Sequence, residues 1–150
     1  MIIEQIQSKG LVTIERIDSL GNVVEVKKEN IIVSSGLQYL ASRMKENVLN
    51  PVSFMGLGTG TTAAVIGNTS LENEIARVAL DSVSIVTTTI INDSVQMIAT
   101  FGPGVATGPI TEAGLFNAVS GPLLIARTVF GVNTKTANDT IRITWKTVFI

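Results

Sequence analysis

The chain has 150 residues with a formal net charge of −1, and 45% of its residues are apolar while only 15% are charged. No apolar run reaches the roughly 18 residues of a membrane span, and no segment carries a stripe of lysine and arginine, so we expect neither membrane insertion nor nucleic-acid binding. Histidine and cysteine are both absent, which removes disulfides, thiolate metal sites and the commonest general base near neutral pH, so an enzymatic function is not expected.

The first predicted elements are a β-hairpin and a helix. Residues 11–17 alternate apolar and polar side chains, and a second β-like run at 23–27 follows a Gly-Asn turn signal. Residues 1–30 are therefore expected to form an N-terminal hairpin or arm that reaches a neighbouring subunit. Apolar residues at helical spacing then predict one short α-helix at about 36–46. Its apolar face is expected to contain Leu37, Leu40, Ala41 and Met44.

The rest of the chain is dominated by segments rich in Val, Ile and Thr that are separated by turn signals. The strands that these segments predict span residues 54–57, 83–91, 95–101, 110–116, 123–130 and 141–149. Such short, closely spaced strands are typical of an antiparallel β-sandwich or barrel. The sequence therefore predicts one mainly β domain over residues 1–150, with a single short helix.

A glycine-rich segment follows the strand predicted at 54–57, with glycines at positions 56, 58 and 60. Backbone N–H groups of such a segment can bind phosphate. However, a Walker-type loop requires Gly-Lys-Ser/Thr before a helix, and a dinucleotide fingerprint requires a third glycine where Thr61 stands. We therefore interpret the segment as a turn that leaves a strand, with glycines chosen for positive φ. No cofactor is expected.

Five charged residues are candidates for structural ion pairs. Glu72, Glu74 and Arg77 fit a capping box with a local ion pair over one helical turn, although two carboxylates and a cation can also serve acid–base hydrolysis. Glu112 and Arg127 lie in otherwise apolar strands, where an unpaired charge is costly. We expect them to pair with each other or with Glu74 and Arg77.

Four aspartates lie in or near predicted turns, but none has the spacing of a calcium-binding loop, so no metal site is expected. These residues are Asp18, Asp81, Asp93 and Asp139.

The shortage of charge in a chain without a membrane span indicates that part of the surface is covered by other subunits. We expect contacts with other subunits on the Thr-rich strand predicted at 83–91 and on the apolar run at 123–130. The contact residues predicted in these two segments are Val83, Ile85, Thr87, Thr89, Leu123 and Ile125.

Several sequence blocks, in this order and spacing, resemble small structural proteins of tailed-bacteriophage virions. They are Met-Gly-Leu-Gly-Thr-Gly-Thr-Thr at 55–62, Ser-Leu-Glu-Asn-Glu-Ile-Ala-Arg at 70–77, Ile-Thr-Glu-Ala-Gly-Leu-Phe at 110–116, Leu-Ile-Ala-Arg at 124–127 and Ile-Thr-Trp at 143–145. The resemblance spans residues 31–150 and implies a β-sandwich virion component without catalytic activity, assembled in the cytoplasm of the host bacterium.

Within such proteins two roles occur. The chain is expected to be a bare domain without the extra repeats of a tail fibre, which favours a capsid cement or decoration protein. The resemblance implies that such a protein binds the phage major capsid protein and forms a homotrimer. The alternative is a tail, collar or baseplate component. A carboxylate-dependent glycan hydrolase and a carbohydrate-binding module are the remaining, less favoured interpretations of the sequence.

Overall fold

A computed structural model of the chain describes residues 7–45, 49–121 and 123–149. These ranges contain nine strands and one helix. Their bounds are β1 (Ser8–Ile17), β2 (Val23–Ile32), α1 (Ser34–Lys45), β3 (Phe54–Gly58), β4 (Glu74–Ala79), β5 (Ser82–Val86), β6 (Ser94–Phe101), β7 (Gly108–Phe116), β8 (Leu124–Lys135) and β9 (Thr140–Phe149).

The strands form one continuous sheet in the order β4-β3-β7-β8-β2-β1-β9-β6-β5, and every neighbouring pair is antiparallel. Strand β2 joins the two halves of this sheet, because residues 23–30 pair with β1 whereas Ile31 and Ile32 pair with β8. The sheet curls so that its halves enclose a shared core. The predicted mainly β, antiparallel fold of the sandwich or barrel class, with one short helix, is confirmed.

The core follows the two-residue period of the strands. In β9, Ile141, Ile143 and Trp145 are fully buried, whereas the alternate residue Arg142 is exposed. The residues of the strand predicted at 141–149 therefore alternate between the core and the outer face. These side chains belong to one hydrophobic cluster with residues of β3 and β7, such as Leu57 from the other half of the sheet. Burial between the two halves stabilises the fold because it removes apolar surface from water.

Trp145, the chain's single tryptophan, is fully buried, and its indole Nε1 has no hydrogen-bond partner. An unpartnered buried N–H costs about 1–3 kcal/mol. We expect Trp145→Phe to change the free energy of unfolding by less than about 1.5 kcal/mol, since it removes this N–H and keeps an aromatic ring, whereas Trp145→Ala should cost about 3–5 kcal/mol. Urea denaturation followed by circular dichroism measures both. A loss in Trp145→Phe as large as in Trp145→Ala would contradict this account.

The helix packs through a face that the sequence pattern does not predict. Its buried residues are Gly36 and Tyr39, whereas Leu37 and Met44 are 46% and 83% exposed. A side chain at Gly36 would overlap the carbonyl group of Ile125 in β8. The helix thus needs its smallest residue at the point where it touches the sheet, which turns Leu37 and Met44 towards solvent. Leu40 of the predicted apolar face is half-buried and packs against the core.

Two further predictions about local structure are wrong. The T-x-x-E spacing at 69–72 does not start a helical turn, because the chain enters β4 at Glu74 and pairs with β3. The strand predicted at 83–91 ends at Val86, since the following residues form a turn held by the carboxylate of Asp93.

The predicted N-terminal hairpin is part of the sheet. Strand β1 pairs with β2 on one side and, from Ser8 to Ile17, with β9 on the other. Residues 8–32 therefore belong to the sandwich itself, and the structure does not describe residues 1–6 of the predicted arm.

Candidate functional site

The centre of the site is Glu112 of β7, a fully buried carboxylate that accepts four hydrogen bonds. Its Oε1 accepts hydrogen bonds from the backbone N–H groups of Gly60 (3.0 Å) and Asn73 (2.8 Å). Its Oε2 accepts from the N–H of Glu72 (3.0 Å) and from Nε of Arg127 (2.9 Å). One carboxylate therefore ties two strands and two loops together.

Arg127 of β8 supplies the charge that balances Glu112. Its side chain is 1% exposed, and its Nη2 lies 2.8 Å from Oε2 of Glu112. Its Nη1 donates to Oδ1 of Asn68 at 3.0 Å, and its Nη2 is also 3.6 Å from Oε2 of Glu72. The structure thus brings together three of the predicted ion-pair residues. Each charge compensates the other, so loss of either partner would leave an uncompensated charge in the interior.

The glycines at 58 and 60 are required by this cluster. A Cβ atom at Gly58 would overlap the carboxylate of Glu112 and lie 2.5 Å from the carbonyl oxygen of Asn73, and one at Gly60 would lie 2.6 Å from Oε1 of Glu112. Neither glycine has positive φ. The predicted reason for these glycines is therefore wrong: they provide room for the backbone to approach a buried carboxylate, and the loop carries its N–H groups towards that carboxylate.

Glu72 closes the loop on its solvent side. Its carboxylate accepts hydrogen bonds from the N–H (2.8 Å) and the hydroxyl (2.9 Å) of Thr62. The N–H of Thr62, then its hydroxyl, and to a smaller extent the charge of Arg127 lower the pKa of Glu72. This carboxylate is therefore ionised at neutral pH, and each of its two oxygens accepts a hydrogen bond within the chain.

Glu74 and Arg77 form a separate pair on β4. Nε and Nη2 of Arg77 each donate to the Glu74 carboxylate at 2.7 Å, and Nη1 donates to the carbonyl of Ala118. The guanidinium also stacks 3.5 Å from the ring centroid of Phe116. This pair lies within one strand, not within the helical turn that the sequence predicts, and it does not contact Glu112.

The predicted contact residues fall into two groups. Val83 and Ile85 on β5 are 54% and 66% exposed, and Thr87 and Thr89 in the following loop are also exposed. Ile125, in contrast, is 5% exposed and packs in the core. Its prediction as a surface contact is wrong, because its side chain lies on the inner face of β8 and packs into the hydrophobic cluster. Leu123, just before β8, is half-buried.

A largely apolar cavity of about 310 Å³ opens beside α1, between the two halves of the sheet. Val83 and Ile125 both line it, together with Met97, Tyr39 and Phe149. The hydroxyl of Tyr39 donates to the carbonyl of Asn50 at 3.0 Å. The two segments that the sequence predicts as contacts, 83–91 and 123–130, therefore meet at this cavity. The exposed Val83 lies on its β5 side.

The loop that follows β5 is held by one aspartate. The carboxylate of Asp93 accepts hydrogen bonds from the N–H groups of Thr88, Thr89 and Ile90 at 2.8–2.9 Å. These donors, that of Ile90 most strongly, lower the pKa of Asp93 well below its ordinary range. The apolar side chains of Ile90 and Ile91 are thereby held out in solvent at a fixed position.

Because the carboxyl pKa is lower in the folded chain, the ionised Asp93 stabilises the fold above the ordinary aspartate pKa of ~3.9, and this contribution is lost as the pH falls through the folded pKa. We expect Asp93→Asn to lower the urea midpoint at pH 7, and the difference from the wild type to shrink between pH 5 and pH 2. Equilibrium unfolding at several pH values measures this. A difference that stays constant or grows on acidification would contradict it.

A second buried polar cluster was not predicted from the sequence. Lys135 at the end of β8 is 1% exposed and donates from Nζ to the carbonyl of Gly102 at 2.9 Å. Burial lowers the pKa of Lys135, while the nearby Asp139 opposes this shift. Asp139 in turn lies 3.5 Å from Nη1 of Arg16. One sequence feature could have indicated this cluster. Lys135 stands at an inward-facing position of a strand that is otherwise rich in apolar residues.

Across residues 7–45, 49–121 and 123–149, no helix is long and apolar enough to cross a membrane. In the same ranges, no three acidic side chains are grouped so that they could hold a metal ion. Comparison of the chain with protein-family models, with curated proteins and with solved structures finds no match.

Proposed function

We propose that the protein is a non-enzymatic structural component of a tailed-phage virion, and that it acts as a capsid cement or decoration protein. The observation that carries this proposal is the exposed, uncharged surface formed by β5 and the loop after it, residues 82–91. Val83, Ile85, Ile90 and Ile91 are all more than half exposed there. A surface of this kind is typical of a contact with another protein subunit.

The polar cluster supports a structural role for a different reason. Glu112 accepts hydrogen bonds from three backbone N–H groups and from the buried Arg127, and both carboxylate oxygens of Glu72 accept hydrogen bonds from Thr62. Carboxylates engaged in this way fix the loop at 58–62 against β7 and β8. This use of both carboxylates within the fold disfavours the glycan-hydrolase alternative.

A cement protein acts by burying surface at many equivalent positions. One subunit that contacts two capsid subunits links them, and the symmetry of the shell multiplies a modest free energy of binding per contact. The resemblance of residues 31–150 to small virion proteins implies a homotrimer that binds the major capsid protein. The low fraction of charged residues, 15%, suits a chain with much of its surface in contacts.

The proposal is tested on virions produced from the genome that encodes this chain. An antibody raised against the purified protein should label the capsid in electron micrographs, and densitometry of purified particles should give hundreds of copies per virion. Label confined to the tail or neck, with tens of copies or fewer, would replace the cement role by the tail, collar or baseplate role. Particles without the protein would refute a virion role altogether.

A further inference from the structure

Strand β5 forms one edge of the sheet. It is the last strand in the order β4-β3-β7-β8-β2-β1-β9-β6-β5, so one side of its backbone has no partner strand among the described residues. Proteins usually protect such an edge with charged residues or proline, because a free edge pairs readily with another strand. Residues 82–92 contain neither. The opposite edge strand, β4, carries the charged pair of Glu74 and Arg77.

We infer that β5 pairs edge to edge with β5 of a second copy of this chain, antiparallel and centred on Ser84. This inference rests on the self-assembly in the proposed function and names one of its contacts. In this register Ser84 stands opposite Ser84 of the second copy, and Val83 stands opposite Ile85. The arrangement has two-fold symmetry, so each copy uses the same surface.

The side chains agree with this register. Val83 and Ile85 pair with Met97 and Val95 of β6, which line the cavity, so both lie on the inner face of the sheet. Pairing centred on Ser84 places inner-face apolar residues only against inner-face apolar residues. A one-residue slip would break this match, because successive side chains of a strand point to opposite faces.

The absence of charge is equally important for a contact between identical surfaces. In a two-fold contact each charge on the edge approaches its own copy or a near neighbour, so a charged edge is repelled by itself. Residues 82–92 carry no formal charge, and the exposed Val83 and Ile85 become covered by pairing. Ile85 of the second copy would lie beside Val83, at the β5 side of the apolar cavity.

The contact is separate from the trimer contacts that the resemblance implies, because an isologous contact joins copies in twos. It would link two monomers if the protein is otherwise monomeric. If the protein is trimeric, the three β5 edges of one trimer would meet the three edges of a second trimer in a closed hexamer. In both closed assemblies loss of the β5 contact halves the mass of the particle in solution.

The sharpest test introduces a cysteine on the symmetry axis, since the natural chain has none. Directly opposite residues of an antiparallel pair have Cα atoms ~4.5–5.5 Å apart, which is within the range of a disulfide. We expect Ser84→Cys to form a covalent dimer under mild oxidation, seen on a non-reducing gel. Ser82→Cys is the matched control, because its two copies would be separated by four residues along the strand, about 13 Å.

Light scattering of the purified protein over a range of concentrations completes the test. Ile85→Lys should halve the mass by placing two like charges on the contact, whereas Ile75→Lys on the other edge strand, β4, should leave the mass unchanged. A wild-type protein that stays monomeric at high concentration, equal cross-linking of Ser82→Cys and Ser84→Cys, or a mass change only in Ile75→Lys would overturn the β5 contact. Capsid labelling by the antibody would leave the proposed function standing in that case, so the two failures are distinguishable.

Discussion

Replacing Glu112 by glutamine is expected to lower the free energy of unfolding by roughly 3–5 kcal/mol. The change removes the negative charge that compensates Arg127, whose side chain is 1% exposed. It also places an amide NH₂ group where a carboxylate oxygen now accepts two hydrogen bonds, so that donors face donors. Urea or guanidinium denaturation at pH 7, followed by circular dichroism, measures the loss.

The matched control is Glu29→Gln. Glu29 pairs with Lys9 at 3.1 Å, but both side chains are largely exposed. Exposed ion pairs contribute about 0–1 kcal/mol, so this variant should stay within that range of the wild type. If Glu112→Gln destabilised the chain no more than Glu29→Gln, the buried cluster would not have the structural role given to it here.

A double-mutant cycle separates the pair from its surroundings. Arg127→Met leaves Glu112 buried with three backbone N–H donors but without its counter-charge, and we expect it to cost about 3 kcal/mol or more. In the double variant Glu112→Gln/Arg127→Met neither charge remains buried. The combined loss should therefore be clearly smaller than the sum of the two single losses, with a coupling of about 1–3 kcal/mol.

The sequence predicted those features that depend on local pattern. The alternation of apolar and polar residues in 141–149 indicated the buried face of β9, which holds Ile141, Ile143 and Trp145. The prediction that Glu112 and Arg127 pair, either with each other or with Glu74 and Arg77, followed from a general cost, since a charge inside an apolar strand requires a partner. The structure shows the first of these alternatives. These predictions needed no knowledge of which strands are neighbours.

Other features depend on contacts between distant segments and could not be read from the pattern. The buried face of α1 is set by the close approach of Gly36 to Ile125, 89 residues further along the chain. The burial of Ile125 itself depends on which face of β8 packs into the hydrophobic cluster. The end of β5 at Val86 depends on the hydrogen bonds from the backbone of residues 88–90 to Asp93, which compete with strand pairing.

The glycine-rich segment leaves a strand as predicted, but the reason predicted for its glycines is wrong. A glycine at a turn is most simply explained by positive φ, and the residues with positive φ among the described glycines are Gly21, Gly104, Gly108 and Gly121. At Gly58 and Gly60 the constraint is instead the space occupied by Glu112 and Glu72. Only the folded arrangement places those side chains against the loop.

This difference leads to the second large expected effect. We expect Gly58→Ala to lower the free energy of unfolding by about 3 kcal/mol or more, because the added methyl group would meet the Glu112 carboxylate and the Asn73 carbonyl. Overpacking alone costs about 1–3 kcal/mol. Displacement of Glu112 would further weaken its hydrogen bonds to the N–H groups of Gly60 and Asn73.

Gly67→Ala is the control that distinguishes a steric clash of the added methyl group from a change in the conformational freedom of the backbone. Gly67 lies in the same long loop, has no positive φ, and has no atom within 4 Å of the position that its Cβ would occupy. Alanine there should be neutral or should stabilise the chain by up to ~1 kcal/mol, since it reduces the freedom of the unfolded state.

If glycine is needed at 58 for the carboxylate, Gly58→Ala combined with Glu112→Gln should cost less than the sum of the single variants. Strictly additive losses would mean that the two residues do not share one structural constraint, and the loop would then be held independently of Glu112.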